Sequence, residues 1–256
     1  MSVANGQTAK AFPYSSFIPF YFNGLGISNN ATTPNTKLDL APGSCLDSTG
    51  TFQLTLSSTA TINAATNGLN GLDTGTFAAS TVYKVFLVAD PVTQQAAGAM
   101  ISTSATPLLP FGYSAYALVG YATTDSSVHF LSGYWSNNDS ARRAFTYDAP
   151  IIALSGGTQT GYTGVALTAF VPPVANSQVN MYMLFAANAA GNTANLQGYN
   201  STGDQVTVIA RTATGTAHTT ANVSVLAQLN SAAPSIKYKV AAGALSLYVT
   251  GYVFDL

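Results

Sequence analysis

Leu72-Asp73-Thr74-Gly75 is the one string in this chain with a catalytic homonym. Aspartic proteases use Asp-Thr/Ser-Gly because a tight turn brings two carboxylates close enough to share a proton, so the chemistry needs two copies. Only one copy is present, and the preceding Asn67-Gly-Leu-Asn-Gly71 is not the apolar strand that carries such a turn. Asp73 is therefore expected to be a turn residue bonded to nearby backbone. His129 and His218 are the only imidazoles, and neither has a second His, Cys or Glu at ligand spacing. A histidine-based zinc site would have to borrow ligands from another subunit, so both are expected at surface or interface positions. Asp139, in Ser136-Asn-Asn-Asp-Ser140, has the oxygen chemistry of a calcium ligand, but one carboxylate in a loop more often caps a turn. No Gly-x-Ser-x-Gly elbow and no Gly-x-x-x-x-Gly-Lys phosphate loop occurs. Cys45 is alone, which excludes an intrachain disulfide and points to a small buried thiol. No catalytic, cofactor-binding or metal-binding residue is assigned, and no cofactor is expected.

Recognition chemistry is better represented. Fourteen Tyr, the single Trp135 and many Asn and Gln are the residue types that hold sugars by stacking and amide hydrogen bonds, although core and subunit contacts will use most of them. Enzymes that cut surface polysaccharide need two or three acidic groups in one groove. Here every acid is Asp, and Asp73, Asp125, Asp139 and Asp204 all stand in turn-like contexts. Adhesion without bond cleavage is the simpler expectation.

The elements that must position these groups are strands. Charged residues make up only 7% of the 256, there is no Glu, and Thr, Ser, Ala, Asn and Gly supply the polarity, a composition that disfavours helix. The 47% of hydrophobic residues is ample for a core. Net charge is −1 and the longest basic run is Arg142-Arg143, so a phosphate-tracking nucleic-acid surface is not supported. Such weak charge gives little repulsion between copies, which favours assembly. The N-terminal MSVANGQTAKAFPYSS has no apolar signal-like region, and no run of about 18 apolar residues occurs, so neither a signal peptide nor a membrane span is expected. The Asn-x-Ser/Thr sequons at Asn30, Asn138, Asn200 and Asn222 then carry no weight.

Val82 to Val88 has the β-branched and aromatic content of a buried strand, closed by Asp90-Pro91. Ala99-Met-Ile-Ser reads as a second strand, Thr106-Pro107 and Leu109-Pro-Phe-Gly-Tyr113 as a proline-pinned crossing, and Ala117 to Tyr121 as a third strand. Period-two alternation predicts strands over Thr36 to Leu40 and Phe52 to Leu56, and Thr61 to Gly75 reads as a long loop with room for one helical turn. The pattern breaks after Trp135, with a new series of strands expected after Ala149-Pro150 and a domain boundary near residue 145. Alternation is then plain over Val179 to Phe185, Val206 to Val208, Val223 to Leu229, Ile236 to Val240 and Leu245 to Val249. Phe17-Ile-Pro-Phe-Tyr-Phe22 is too apolar for a solvated tail, and serves either as an anchor segment or as a first strand.

Tyr83-x-Val85-Phe86, Ser102 to Pro107, Leu109-Pro-x-Gly-Tyr113 and Val119-Gly120, in that order, resemble a module of virion surface proteins from tailed bacteriophages and prophages, the tail-fibre and head-fibre type. Leu38-Asp-Leu-Ala-Pro-Gly43, Asp47-Ser-Thr49 and Gly71 to Gly75 match upstream, so the resemblance spans about Phe22 to Trp135. The sequence departs from the module at Val82, where Trp is usual, and at Ala117-Leu118, where an Arg pair is usual. The second half resembles, more loosely, the C-terminal sandwich that follows in such proteins. The resemblance implies the virion exterior, reached from the host cytoplasm, and attaches no catalytic residue.

The expectation is an all-β chain of two β-sandwich, jelly-roll-like domains in tandem: a lead over residues 1–22, a first module over 23–145 and a second over 146–256. Its expected role is a non-enzymatic tail-fibre or receptor-binding subunit, with capsid decoration as the first alternative and a polysaccharide-degrading enzyme as the second. Expected partners are two more copies of itself in a homotrimer, other virion proteins through Phe17 to Phe22, and a host surface glycan or protein.

Overall fold

The run Val82-Tyr-Lys-Val-Phe-Leu-Val-Ala89 shows why the first half folds as it does. Nearly every residue in it is apolar, so a strand made from it must be covered on both faces. The computed structural model describes residues 22–90, 92, 96–137, 142–174, 177–209, 218–230 and 233–255; among them every regular element is a β-strand. The first half contributes β1 (Phe22–Gly24), β2 (Ile27–Asn29), β3 (Lys37–Leu40), β4 (Gly43–Leu46), β5 (Gln53–Leu56), β6 (Ala60–Asn67), β7 (Gly71–Leu72), β8 (Val82–Ala89), β9 (Ala96–Ser102) and β10 (Ala115–Thr123). A three-stranded sheet, β1-β4-β5, faces a seven-stranded sheet, β10-β8-β9-β7-β6-β3-β2. Cys45, Leu54 and Leu56 from the small sheet meet Leu38, Leu40, Ile62, Val85, Leu87 and Ile101 from the large one. The other face of β8 and β9 buries Phe86, Val88 and Met100 under Leu109, Tyr113 and Tyr116, so the proline-pinned crossing is the second cover that the apolar run demands.

The second half contributes β11 (Gly133–Asn137), β12 (Arg142–Gly157), β13 (Thr163–Ala166), β14 (Ser177–Ala186), β15 (Thr193–Gly198), β16 (Val206–Ile209), β17 (His218–Asn230), β18 (Ala233–Val240) and β19 (Ala244–Asp255). Their order is β11-β12-β19-β14-β17-β18-β15-β16, with β13 also on β18. β17 belongs to both layers: it pairs β14 along His218 to Ala227 and β18 along Gln228 to Asn230. Between the layers lie Val179, Met181, Met183 and Phe185 of β14, Leu245, Leu247 and Val249 of β19, and Leu196, Ile236, Tyr238 and Val240 from the far sheet. Along β14 every second residue is buried, the signature of a strand with one wet face. The chain is thus all-β, two sandwiches in tandem.

The structure corrects two of the expectations. Thr61 to Gly75 is not a loop with a helical turn: β6 and β7 occupy most of it. Ala60, Ile62 and Ala64 alternate inward there, small side chains whose pattern is easily lost among Asn and Gly. Nor does a new strand wait for Pro150. β12 runs from Arg142 through Pro150 to Gly157, and residue 145, where the boundary was expected, lies inside it, with Phe145 opposite Trp135 on one side and Tyr252 on the other. Pro150 is tolerated because the register with β19 breaks between Thr146 and Ile151, so no ladder bond is asked of it. Of the aromatic lead, Phe22 is the first residue of β1, while residues 17–21 lie outside the described residues.

Candidate functional site

Of the aspartates singled out in the sequence, the three among the described residues, Asp73, Asp125 and Asp204, are placed apart, each bonded within or beside a turn. Asp73 is buried; its Oδ1 accepts from the Thr74 amide at 2.8 Å and its Oδ2 from the Leu108 amide at 3.1 Å, while its own amide donates to Ile101 at 2.9 Å. The carboxylate therefore ties the end of β7 to the proline-pinned crossing. Asp125 accepts from the amides of Ser127 and His129, both at 2.8 Å, and its other oxygen lies 3.7 Å from His129 Nδ1. That pair sits half-exposed within one turn. Asp204 accepts from Asn195 Nδ2 at 2.5 Å and lies 3.9 Å from Lys239 Nζ. Asp139 lies outside the described residues, and His218 opens β17, its backbone opposite Ala186. Among the described residues no three His, Cys, Asp or Glu gather as a metal-ligand group.

Asp47 does more than its turn context suggested. It accepts from the Thr51 and Phe52 amides at 2.8 and 2.9 Å and from the Thr49 hydroxyl at 2.6 Å. Burial pushes its carboxyl up, but these hydrogen bonds together outweigh that and hold it below the ordinary Asp value. Cys45 is a buried free thiol, pushed up to about 12 by burial against a smaller opposing pull from Arg143.

Sequence reasoning missed Arg143, which it treated only as half of a basic pair. Arg143 is fully buried where the two sandwiches meet. One guanidinium nitrogen donates to Val119 O and the other to Leu25 O at 3.0 Å, and the group lies 4.2 Å from the Phe22 ring centroid and 5.0 Å from that of Trp135. Both carbonyls belong to irregular backbone. The pairing of β10 with β8 skips at Val119, and Leu25 has φ of 55°, so neither oxygen has a ladder partner there. A Cβ at Gly120, beside the skip, would stand 2.7 Å from Ile27 Cδ1 and 3.3 Å from the Trp135 ring, so a larger residue there would make those side chains shift. Burial lowers the Arg143 pKa to about 10, still charged at neutral pH. Around it Tyr121, Trp135, Phe145, Tyr147, Tyr252 and Phe254 stack edge to face, with Tyr121 to Phe254 at 5.1 Å and Phe145 to Tyr147 at 4.9 Å. Burial pushes the Tyr147 and Tyr252 hydroxyls well up, so both stay neutral. The only sequence signal was an arginine among aromatics in a chain nearly without charge.

The chain also holds an apolar group out to solvent. The Tyr113 amide donates to Pro110 O at 3.1 Å across Phe111 and Gly112, and Gly112 has φ of 91°. This proline-glycine turn presents Phe111 fully exposed, with Leu108 exposed beside it.

Fold and site together define a β-sandwich protein whose acids brace turns and strands and whose aromatic groups are mostly buried or half-buried, with Phe111 and Tyr134 exposed. No family model matches the chain, and no curated protein sequence matches it. Among solved structures it is similar to a carbohydrate-binding module from the Cellvibrio mixtus lichenase 5A in complex with cellotriose, at 19% identity over 49% of this chain and 87% of that one, TM-score 0.22. It is also similar to a Cry1Da tryptic core variant from Bacillus thuringiensis, at 10% identity over 93% of this chain and 52% of that one, TM-score 0.22. A third is the infectious bursal disease virus Gt strain structure, at 13% identity over 91% of this chain and 71% of that one, TM-score 0.19. The chain spans about half the length of the toxin core. Likeness at these scores carries no functional weight.

Proposed function

We propose that this chain is a non-enzymatic surface subunit of a bacteriophage virion, of the tail-fibre or receptor-binding type, acting by adhesion. The observation that carries the reading is the use of the acids: Asp39, Asp47, Asp73, Asp125 and Asp204 each accept hydrogen bonds from backbone or neighbouring side chains in separate turns or strands. What reaches solvent instead is an apolar tip, Leu108 and Phe111, on a loop braced by Asp73 and the proline-glycine turn. A group presented on a pre-ordered loop loses little conformational freedom on binding. The resemblance of residues from about Phe22 to Trp135 to virion modules supplies the setting, and the weak net charge suits assembly.

The subunit forms a homotrimer on a symmetric mount. Light scattering of the purified protein is expected to give three times the 26.3 kDa chain mass, and a monomer at micromolar concentration removes the trimer. The location test is immunogold labelling of virions with antibody against this chain, paired with an adsorption assay. Label at the tail and blocked adsorption are expected. Label confined to the capsid, with adsorption unaffected, assigns the chain to capsid decoration instead.

A further inference from the structure

The second sandwich has a polar face whose burial is out of keeping with its position. β13, β18, β15 and β16 lie side by side, and Val165, Ile236, Tyr238, Ala194 and Leu196 point into the core. Alternation then puts their neighbours on the opposite face, where the registers set Gly164 and Gln197 against Lys237, and Thr207 and Lys239 against Asn195. Side chains on an outer face are ordinarily wet. Asn195 is nonetheless 6% exposed and Gln197 3%. Half-buried Tyr162 and Tyr199 flank them: Lys239 Nζ lies 4.4 Å from the Tyr162 ring centroid, Lys237 Nζ lies 5.3 Å from that of Tyr199, and the Tyr199 ring edge packs over Gly164, 3.2 Å from where a Cβ would stand.

Asn195 Nδ2 donates to Asp204 Oδ2 and to Thr207 Oγ1, which fixes the orientation of the amide and leaves Oδ1 buried with no donor. Gln197 Oε1 and the Tyr162 hydroxyl are buried and unpartnered as well. A buried acceptor without a donor has lost water and gained nothing, so several of them in one patch call for an explanation. Two amide oxygens between two tyrosines and two lysines complement a molecule rich in hydroxyl donors with a ring to stack. The charge is uneven: Lys239 has Asp204 at 3.9 Å, while Lys237 rests on an aromatic ring and has no carboxylate partner among the described residues.

We propose that this face is a saccharide-binding site, and that its ligand is an acidic glycan. Sugar hydroxyls donate to Asn195 Oδ1 and Gln197 Oε1, a tyrosine ring supports the sugar, and Lys237 receives the carboxylate. The lysine side chains are the movable cover: long and flexible, they swing off the rings to expose the acceptors. The assignment deepens the adhesion reading and rests on it for its biological use.

The test uses the purified full chain with three probes: a galacturonate trisaccharide, sialyllactose and neutral cellotriose, followed by saturation-transfer NMR and calorimetry. An acidic probe is expected to bind in preference to cellotriose, and Gln197→Met and Lys237→Met each to weaken it at least about tenfold. Lys237→Arg is expected to retain binding. Gln197→Met should leave the melting temperature unchanged or raised, because an unpartnered buried acceptor is replaced by an apolar group of similar shape. Absence of binding by every probe, or binding that survives both Met variants, overturns the site. Equal binding of cellotriose overturns its acidic preference, and a large loss of stability in Gln197→Met points to an ordered water as the missing donor and overturns the site too. Failure here is separable from failure of the adhesion reading. If antibody against the chain blocks virion adsorption while no probe binds, adhesion stands and the site falls. If Gln197→Met virions lose glycan binding but adsorb normally, the site stands and its role in adhesion falls.

Discussion

The first sandwich opens with five short strands joined by turns rich in side-chain hydrogen bonds, whereas the second is built around four long strands that need few such turns. β1 to β5 are three or four residues each; Asn30 and Asp47 pin turns between them, and Asn70 and Asp73 pin the chain on either side of the two-residue β7. β12, β14, β17 and β19 run ten to sixteen residues; β14 takes its order from alternation and from a ladder with β17 that is unbroken from Ser177 to Ala186, while the ladder of β12 with β19 shifts register at three places. A short strand has few ladder bonds to fix its register, so the turn must fix it; a long strand with one apolar face is fixed by the face, since a one-residue slip would turn it to water. The two halves therefore answer differently to the same kind of substitution, and Arg143 joins them.

The largest effect is expected at that joint. Arg143→Met leaves the Val119 and Leu25 carbonyls buried without donors while changing only one side of the contact, a loss of roughly 3 kcal/mol or more. In the wild type, Cys45 alkylation, which reports the first sandwich, and Trp135 fluorescence, which reports the joint, should share one midpoint in denaturant. In Arg143→Met the midpoints should separate, with the first sandwich opening earlier. Coincident midpoints in the variant would show that the stacked aromatics alone couple the halves.

A smaller effect separates the two kinds of turn. Asp73→Ala and Asp47→Ala remove carboxylates that each satisfy several donors, and should each cost about 1 to 3 kcal/mol in chemical denaturation. Asp204→Ala, in the second half and more exposed, should cost under about 1 kcal/mol. Equal losses would erase the contrast between pinned turns and self-registering strands.

Legibility in the sequence followed the same division. Alternation in β14, β18 and β19 is visible from residue types alone, because large apolar and polar side chains trade places at each step. In β6 the inward residues Ala60 and Ala64 are too small to stand out from outward Thr61 and Ala65, so a paired strand looked like a loop. Asp73 and Asp125 were recognisable as turn residues from their neighbours, but that Asp73 reaches Leu108 depends on a fold 35 residues later in the chain. Arg143 and the Asn195 and Gln197 face were invisible for a similar reason: what makes them unusual is burial, and burial of a polar side chain is set by tertiary packing.

Acid should weaken the first sandwich through Asp47. Its folded pKa lies below the unfolded one, so the stability it contributes is complete above the unfolded value of about 4 and is lost as pH falls through the folded value. A titration of melting temperature is expected to fall in that acid range, with a shallower fall in Asp47→Asn; identical curves would remove Asp47 from the account. The smallest effect is kinetic. With its pKa pushed up to about 12 and its side chain buried, Cys45 should resist iodoacetamide at pH 8 until the first sandwich opens, and prompt labelling of the native protein would place that thiol in reach of solvent.

The most direct test of the adhesion reading is to incubate the purified protein with envelope from the host bacterium, then measure both the protein retained on the envelope and the reducing ends released into solution. Retention with no released fragments is the result expected of a binding subunit. Release of shortened glycan that disappears on replacing Asp73, Asp125 or Asp204 would contradict the account and make the chain an enzyme.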